Sequence, residues 1–273
     1  MRWREQRKST NVEDRRGMGR GVALGGGGLG VLVLAAIVCL LGGDPRQLLE
    51  ALPSEPQVQQ QQPSASNSAP DNQEQMARAV LGSTEDVFGE IMPEQARMNY
   101  QAPTLVLFSG QVSSVCGIAG SATGPFYCPG DRKLYLDFTF FEELRREFKA
   151  PGDFAQAYVI AHEVGHHVQN LLGTMGKVQS YGQNNRLSVA LELQADCYAG
   201  VWANHANRKG FVDPGDPEEA LRAAASVGDD MIQRRTQGVV MPESFTHGSA
   251  KQRMEWFARG FKSGDMRQCE TFR

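Results

Sequence analysis

The chain has 273 residues, enough for one good-sized domain with additional segments. Its hydrophobic content of 41% and charged content of 22% are ordinary for a globular protein. A net charge of −3 and an isoelectric point near 6.0 argue against binding of nucleic acid by bulk charge, so no nucleic-acid partner is expected.

The N-terminal part combines a basic stretch with an apolar one. Residues 1–20 carry seven basic and three acidic side chains, whereas residues 21–43 carry no charge. About 23 helical residues at roughly 1.5 Å each span a bilayer core of about 30 Å, so 21–43 is predicted to be a single transmembrane helix in contact with lipid. The basic excess orients this anchor, with the N-terminus cytoplasmic and the remaining chain periplasmic or extracellular.

Three alternatives to this anchor remain open. A cleaved signal peptide normally has a shorter apolar core and a small-x-small cleavage site, whereas this run ends in GGDP at 42–45. A lipoprotein would use Cys39, but the preceding AIV at 36–38 is a weak match to a lipobox. A buried helix of a soluble protein would need apolar partners, which the flanking sequence lacks.

A low-complexity segment follows the apolar run. Residues 44–75 are rich in Pro, Gln, Ser and Asn and show no apolar period. Such a segment cannot bury a core and is predicted to be a disordered tether. The folded domain is therefore predicted to comprise residues 76–273.

Four cysteines lie in the predicted domain. An even number outside the cytoplasm indicates two disulfide bonds, for which three pairings are possible. Pairing of Cys116 with Cys128 closes a small Gly-rich loop and is favoured. This leaves Cys197 and Cys269, whose bond would tie the C-terminal tail to a helix. Buried free thiols are the alternative, and the cysteines lack zinc-ribbon spacing.

The domain is predicted to have a mainly helical α+β fold with a small β-sheet. Residues 104–112 and 133–138 are rich in β-branched and aromatic residues between turn signals, which indicates two strands of a hairpin or small sheet. The second strand could present its edge to an extended peptide, or it could lie inside the sheet. Helices are predicted at 74–91 (ending before Pro93), 138–148, 153–172, 184–205, 217–235 and 249–261.

One of these helices, 153–172, carries three of the chain's five histidines. Asp153 and Gln156 have the spacing of a capping box at its start, and Gly173 is a natural stop at its end. Apolar residues recur on one face of the helix, which predicts that this face is buried. The residues of this stripe are Ile160, Val164, Val168 and Leu171.

His162, Glu163 and His166 form the pattern H-E-x-x-H on this helix. Positions i and i+4 lie on one helix face, so both imidazoles can reach one ion. Zinc takes histidine nitrogens at about 2.0–2.1 Å and keeps an open position for water at catalytic sites. Glu163 can take the proton of the zinc-bound water. Because the pattern occurs by chance in on the order of one chain in a hundred of this length, a third ligand is needed.

The stretch LELQADCYAG at 191–200 supplies two carboxylates one helical turn apart. Glu192 is the predicted third ligand of one zinc ion per chain. Asp196 is predicted to accept a hydrogen bond from a ligand histidine, and Asp196 as the ligand is the alternative. The flanking residues are apolar, which argues against two solvated surface carboxylates because buried carboxylates need a partner.

Several stretches give the chain a more specific resemblance. It resembles the neutral zinc metallopeptidase family of bacterial membrane-anchored proteins, and its Glu-x-x-x-Asp helix is similar to that of the gluzincin group. The resemblance implies a zincin-like metallopeptidase domain with His162, His166 and Glu192 as zinc ligands, Glu163 as base and Asp196 as the orienting residue. The matching stretches are 2–17, 108–137, 157–169, 191–200 and 244–261.

Four further residues are weaker candidates. His247 lies in a THGS loop before a helix and is a candidate donor to the oxyanion, with a purely structural hydrogen bond as the alternative. His167 is turned about 100° from the second ligand and is expected to be a polar neighbour or exposed. His205 lies near a helix end, where a surface role is expected. Tyr158, one turn before the first ligand, lines the same face or belongs to the core.

Together these features predict a single-zinc metallopeptidase that acts on peptides or proteins outside the cytoplasm. The alternative is a zinc-stabilised, non-catalytic binding or chaperone-like module of the envelope. An intact Glu163 argues against the alternative, and structural zinc sites usually have four protein ligands. Hydrolysis of a non-peptide amide is a third possibility.

Overall fold

The computed structural model describes residues 1–17, 71–182 and 184–272. Met1–Arg16 and Asn72–Arg273 form one compact unit. The predicted transmembrane helix at 21–43 and nearly all of the predicted tether at 44–75 lie outside the described residues. Within the described ranges, no helix combines the length and the apolar character needed to cross a membrane.

The described residues form a mainly helical α+β fold, which confirms the predicted class. The longest helices are α1, α3 and α5, and α8 packs against α5. Short 3₁₀ turns lie at Trp3–Glu5, Ser121–Thr123, Pro242–Ser244 and Met266–Gln268. The helices are α1 Asn72–Gln95, α2 Thr139–Arg146, α3 Asp153–Leu171, α4 Thr174–Ser180, α5 Asn185–Arg208, α6 Asp216–Ser226, α7 Asp229–Thr236 and α8 Ala250–Ser263.

Four strands form one sheet in the order β1-β2-β6-β5, and two more form a separate hairpin, β3-β4. In the sheet, β2 pairs in parallel with β1 and β6, and β5 pairs antiparallel with β6. The predicted strand at 133–138 is therefore internal, and β1 and β5 are the edge strands. The strands are β1 Val12–Asp14, β2 Thr104–Phe108, β3 Gln111–Ser114, β4 Gly117–Gly120, β5 Phe126–Cys128 and β6 Lys133–Asp137.

Three predicted elements differ from the structure in their bounds. The strand at 104–112 is broken at Gly110, whose φ of 79° suits a turn. The helix at 217–235 is two helices, because the backbone at Gly228 is extended, with ψ 142°, and interrupts the helical turn. Helix α1 continues through Pro93. The proline removes only the hydrogen bond to the carbonyl of Gly89, and this loss is tolerated because Gly89 is exposed and the helix ends nearby.

Both predicted disulfide bonds are present. Cys116–Cys128 joins the turn of the β3-β4 hairpin to the end of β5, and Cys197–Cys269 fixes the C-terminal tail to α5. A disulfide stabilises a fold mainly by restricting the unfolded chain, and more so for longer loops. The second bond, whose cysteines are 72 positions apart, has the larger expected effect.

The N-terminal residues pack into the same unit as the helices, unlike the separate basic segment expected from the sequence. Trp3 is 3% exposed, and its Nε1 donates to Asp153 Oδ2 at 2.9 Å. Asp153 therefore contacts this segment, and its side chain does not form the predicted cap of α3. A Cβ at Gly82 would lie 2.5 Å from the carbonyl oxygen of Arg7, so the segment lies directly on α1. The domain boundary predicted at residue 76 therefore omits part of the fold.

Replacing Trp3 with alanine is expected to lower the free energy of unfolding by about 3–5 kcal/mol, as for other buried aromatic residues. The change removes a buried ring and leaves Asp153, at the start of the histidine-bearing helix, without its indole donor. Urea unfolding of the full chain would measure the loss. The exposed Glu5→Ala variant is the control, and an equal midpoint for both variants would mean that the N-terminal segment does not pack as described.

Candidate metal centre

The H-E-x-x-H pattern lies on α3, and its two histidines face one carboxylate from α5. His162 Nε2 lies 3.2 Å from Glu192 Oε2, and His166 Nε2 lies 3.4 Å from Glu192 Oε1. One possible ligand atom from each of these three residues lies within 4.8 Å of the other two. Two ligands bound tetrahedrally to zinc at about 2.0–2.1 Å are separated by about 3.3–3.4 Å. The two measured distances match this separation, so the donor set fits a zinc ion.

Gly165, between the two histidines, allows this arrangement. A Cβ at this position would lie 2.8 Å from the carbonyl oxygen of Ala195 on α5. No real side chain fits there, so α3 and α5 approach each other backbone to backbone. This contact holds Glu192, less than one turn before Ala195, against the two histidines.

Each histidine is oriented by a hydrogen bond on its other nitrogen. His162 Nδ1 lies 2.8 Å from Asp196 Oδ1, as the sequence predicted for Asp196. His166 Nδ1 lies 2.9 Å from Gln169 Oε1, a partner that the sequence analysis missed. With Nδ1 protonated and donating, Nε2 of each ring is left as the lone-pair donor to a metal.

The centre has a negative potential that attracts a cation. Burial lowers the pKa of His162, but Asp196 and Glu192 outweigh it and raise this pKa to about 10. Burial also opposes charge on His166, and Glu192 again raises the pKa. Both histidines favour the protonated form because buried carboxylates lie beside them. Positive charge is therefore stabilised at this centre.

Arg253, from α8, forms a buried ion pair behind the metal ligands. Its Nε lies 2.7 Å from Asp196 Oδ2, and its Nη2 lies 3.0 Å from Asp196 Oδ1. Tyr158 donates its hydroxyl to Asp196 Oδ1 at 2.5 Å and lies 3.2 Å from Arg253 Nη2. Tyr158 is therefore a buried member of this network. Asp196 is fully buried and receives donors on both oxygens, so its orientation towards His162 is fixed.

Glu163 lies beside the metal ligands and is not one of them. It is buried, and it lines the same cavity as His162 and His166. Burial raises the pKa of Glu163, while the two histidines act in the opposite direction. A carboxylate with a raised pKa, next to a metal position, has the properties of a general base.

His247 lies on a loop before α8 and lines the same cavity. Asp229 holds this loop, since its Oδ2 accepts from the backbone nitrogens of Thr246, His247 and Gly248 at 2.6–3.0 Å. Asp229 Oδ1 lies 3.1 Å from His247 Nδ1. This hydrogen bond raises the pKa of His247, and burial opposes the effect. The imidazole is thus a half-exposed donor that faces the cavity.

The other two histidines have structural contacts away from the metal centre. His167 is buried, where it accepts from the Tyr127 hydroxyl at 3.0 Å and donates to the carbonyl of Gln101 at 2.5 Å. Burial lowers its pKa to about 4, so it is neutral at physiological pH. His205 Nε2 lies 2.9 Å from the carbonyl of Gly264 and joins α5 to the end of α8.

A cavity of about 560 Å³ opens over the metal centre, within the range of ligand-binding clefts. Its floor is the face of α3 that carries His162, Glu163 and His166. Residues of β5, one of the two edge strands of the sheet, form one rim. An extended peptide could therefore reach the metal centre along this edge.

The fold and this centre define the class of the protein. It has a candidate metal site of the H-E-x-x-H type, which a glutamate from the next long helix completes. The chain belongs to the family described as "putative neutral zinc metallopeptidase", which it matches over residues 1–272. Membership of the neutral zinc metallopeptidase family, expected from the sequence, is thereby confirmed. The family name implies zinc, and His162, His166 and Glu192 are the group that could hold it.

Two relatives show how far the similarity extends. Uncharacterized protein YpfJ of Escherichia coli strain K12 is 44% identical over 284 aligned positions, which span 100% of this chain and 99% of the relative. Uncharacterized protein Rv2575 of Mycobacterium tuberculosis strain H37Rv is 47% identical over 206 positions, 71% of this chain and 69% of the relative. No solved structure matches the chain significantly.

Proposed function

We propose that the protein is a single-zinc metallopeptidase of the zincin type, similar to the gluzincins, that hydrolyses peptide bonds in peptides or proteins. The observation that carries this proposal is the donor set on two helices, with His162 and His166 at zinc-like distances from Glu192. The buried Glu163 beside this set and the open cavity above it supply the other requirements of catalysis.

A zinc ion held by His162, His166 and Glu192 would polarise the attacking water and the scissile carbonyl. Glu163 accepts a proton from that water and then transfers it to the leaving amine. Asp196 keeps His162 in the tautomer that binds metal, and Gln169 does the same for His166. The Nε2–H of protonated His247 donates to the oxygen on which negative charge develops.

Zinc analysis and proteolysis of the purified full chain test this proposal. We expect one zinc per chain, cleavage of an unfolded protein such as casein, loss of cleavage on chelation and its return with added zinc. A His162→Ala variant should lose both zinc and cleavage. One zinc without cleavage would favour the non-catalytic envelope module, and absence of zinc would refute the metal centre itself.

The pH dependence of cleavage tests the role of His247. Since Nδ1 donates to Asp229, only the protonated ring has an Nε2–H for substrate, so kcat/KM should fall as pH rises through the pKa of His247, which lies above 6.5. Glu192 also favours this charged form, and Arg253 opposes it. An Asp229→Asn variant keeps an acceptor for the loop but should move this decline to lower pH. Identical pH profiles for the variant and the wild type would exclude His247 as the donor.

We also propose that the folded unit lies outside the cytoplasm, in the periplasm or on the cell surface. Its two disulfides support this location, because such bonds persist mainly in oxidising compartments. A bilayer cannot divide one folded unit. Because Met1–Arg16 packs into the same folded unit as the helices, we propose that the N-terminus lies on the same side of the membrane as the domain.

Labelling of intact cells with a membrane-impermeant maleimide tests this location. Cysteines are introduced singly at Glu5 and at Glu255, both exposed, and the unmodified chain gives the background. Labelling of both positions is expected. Labelling of Glu255→Cys alone would show a single crossing and an N-terminus that does not pack as described. Labelling of neither would place the folded unit in the cytoplasm.

A further inference from the structure

One side of the cavity is formed by apolar side chains from four parts of the chain. They lie on α2, directly after α2, on α3, and in the stretch from the end of α6 into α7. All but the residue on α3 are half-buried, so their surfaces are only partly covered within the fold. These residues, which we call the apolar wall, are Phe140, Phe148, Val159, Val227 and Ile232.

The apolar wall adjoins the catalytic residues. Val159 lies on α3 one turn before Glu163, and both line the cavity floor. Val227 lines the same cavity as His162 and Glu163, and its backbone carbonyl accepts from Arg253 Nη1 at 3.3 Å. A substrate side chain next to the scissile bond would therefore meet this wall.

Arg235 joins the two halves of the wall from the outside. Its guanidinium lies 4.3 Å from the centroid of the Phe148 ring and donates to the carbonyl oxygens of Glu147 and Ser226. Phe140 lies 6.1 Å from Phe148 and 3.6 Å from the position of a Cβ on Gly124, at the β5 rim. The wall residues thus line one cavity between the segment before β5 and α7.

We propose that the apolar wall is a specificity subsite for a large aliphatic or aromatic side chain next to the scissile bond. The proposal rests on the peptidase function proposed above. The side chains of the wall have no polar atoms, and Glu143 of the same cavity lining would repel an anion, so an aspartate side chain placed there would lose hydration without gaining a hydrogen bond from the wall. A leucine or phenylalanine side chain would instead bury its own apolar surface and that of the wall. Pockets of this kind discriminate by roughly 10–200-fold per methylene group.

Cleavage of matched peptides by the full chain tests the subsite. Two blocked peptides of otherwise alanine and glycine carry either leucine or aspartate at one position. Peptide-bond cleavage beside leucine is expected, with kcat/KM at least about tenfold higher than for the aspartate peptide. An Ile232→Ala variant should lose most of this preference. A Met231→Ala variant, altered at the exposed neighbour on α7, is the matched control and should keep it.

Failure of the subsite and failure of the peptidase proposal give different results. Equal cleavage of both peptides, or an unchanged preference in Ile232→Ala, would overturn the subsite and keep the peptidase. If neither peptide is cleaved, equilibrium binding of fluorescently labelled peptides to the zinc-loaded chain shows which of the two proposals has failed. Preferred binding of the leucine peptide, weakened by Ile232→Ala, would keep the subsite and count against the enzyme. Absence of binding would overturn both.

Discussion

Replacing Glu163 with glutamine is expected to lower kcat/KM by about 10²–10⁴-fold while the zinc content stays at that of the wild type. The amide has nearly the same shape as the carboxylate but cannot take a proton from water. Glu163 lies outside the ligand set, so His162, His166 and Glu192 keep their positions. Proteolysis rates and zinc analysis on the same preparation would separate the base from the ligands.

The stability of this variant supplies a second observation. Burial raises the pKa of Glu163, which shows that its charge is unfavourable in the fold. The neutral glutamine should therefore leave the urea midpoint unchanged or higher. A Glu142→Gln variant on the exposed face of α2 is the control for the substitution itself and should keep full activity. If Glu163→Gln keeps more than about a tenth of wild-type activity, the proton is taken by another group.

The sequence predicted those parts of the centre that depend on spacing within one helix. His162 and His166 are one turn apart on α3, and Glu192 and Asp196 are one turn apart on α5, so each pair shares a helix face whatever the tertiary fold. The disulfides followed from loop size and from the number of cysteines. These features are local, and local geometry can be derived from residue order.

The sequence did not reveal the partners that approach from distant parts of the chain. Arg253 meets Asp196 across 57 residues, and Asp229 meets His247 across 18, with no motif linking either pair. Gln169 was within reach of prediction, since it lies three residues after His166 on the same helix. The charge pattern of the N-terminal segment is typical of a membrane flank, and the sequence did not reveal that Trp3 of this segment is buried in the domain.

Replacing Arg253 with methionine is expected to lower the free energy of unfolding by about 3–5 kcal/mol, as when one partner of a buried ion pair is removed. The substitution keeps the apolar stem but leaves the fully buried Asp196 carboxylate without its cation. Tyr158 and His162 remain as its hydrogen-bond donors. Because Asp196 orients His162, the affinity for zinc should also fall, by about 10–100-fold. Urea unfolding and zinc titration measure the two effects.

Two further variants test whether the lost stability comes from the broken ion pair or from the replacement of any arginine on this helix. Arg259→Met, on the exposed face of the same helix, removes only a stacking contact with Trp256 and should cost at most about 1 kcal/mol. Adding Asp196→Asn to Arg253→Met should recover stability, because the double variant no longer buries an unpaired charge. It should not recover zinc affinity, since a neutral amide at position 196 supports the His162 tautomer less strongly. A double variant no more stable than Arg253→Met would show that Arg253 acts through packing, and that the ion pair behind the ligands is not what holds the centre in place.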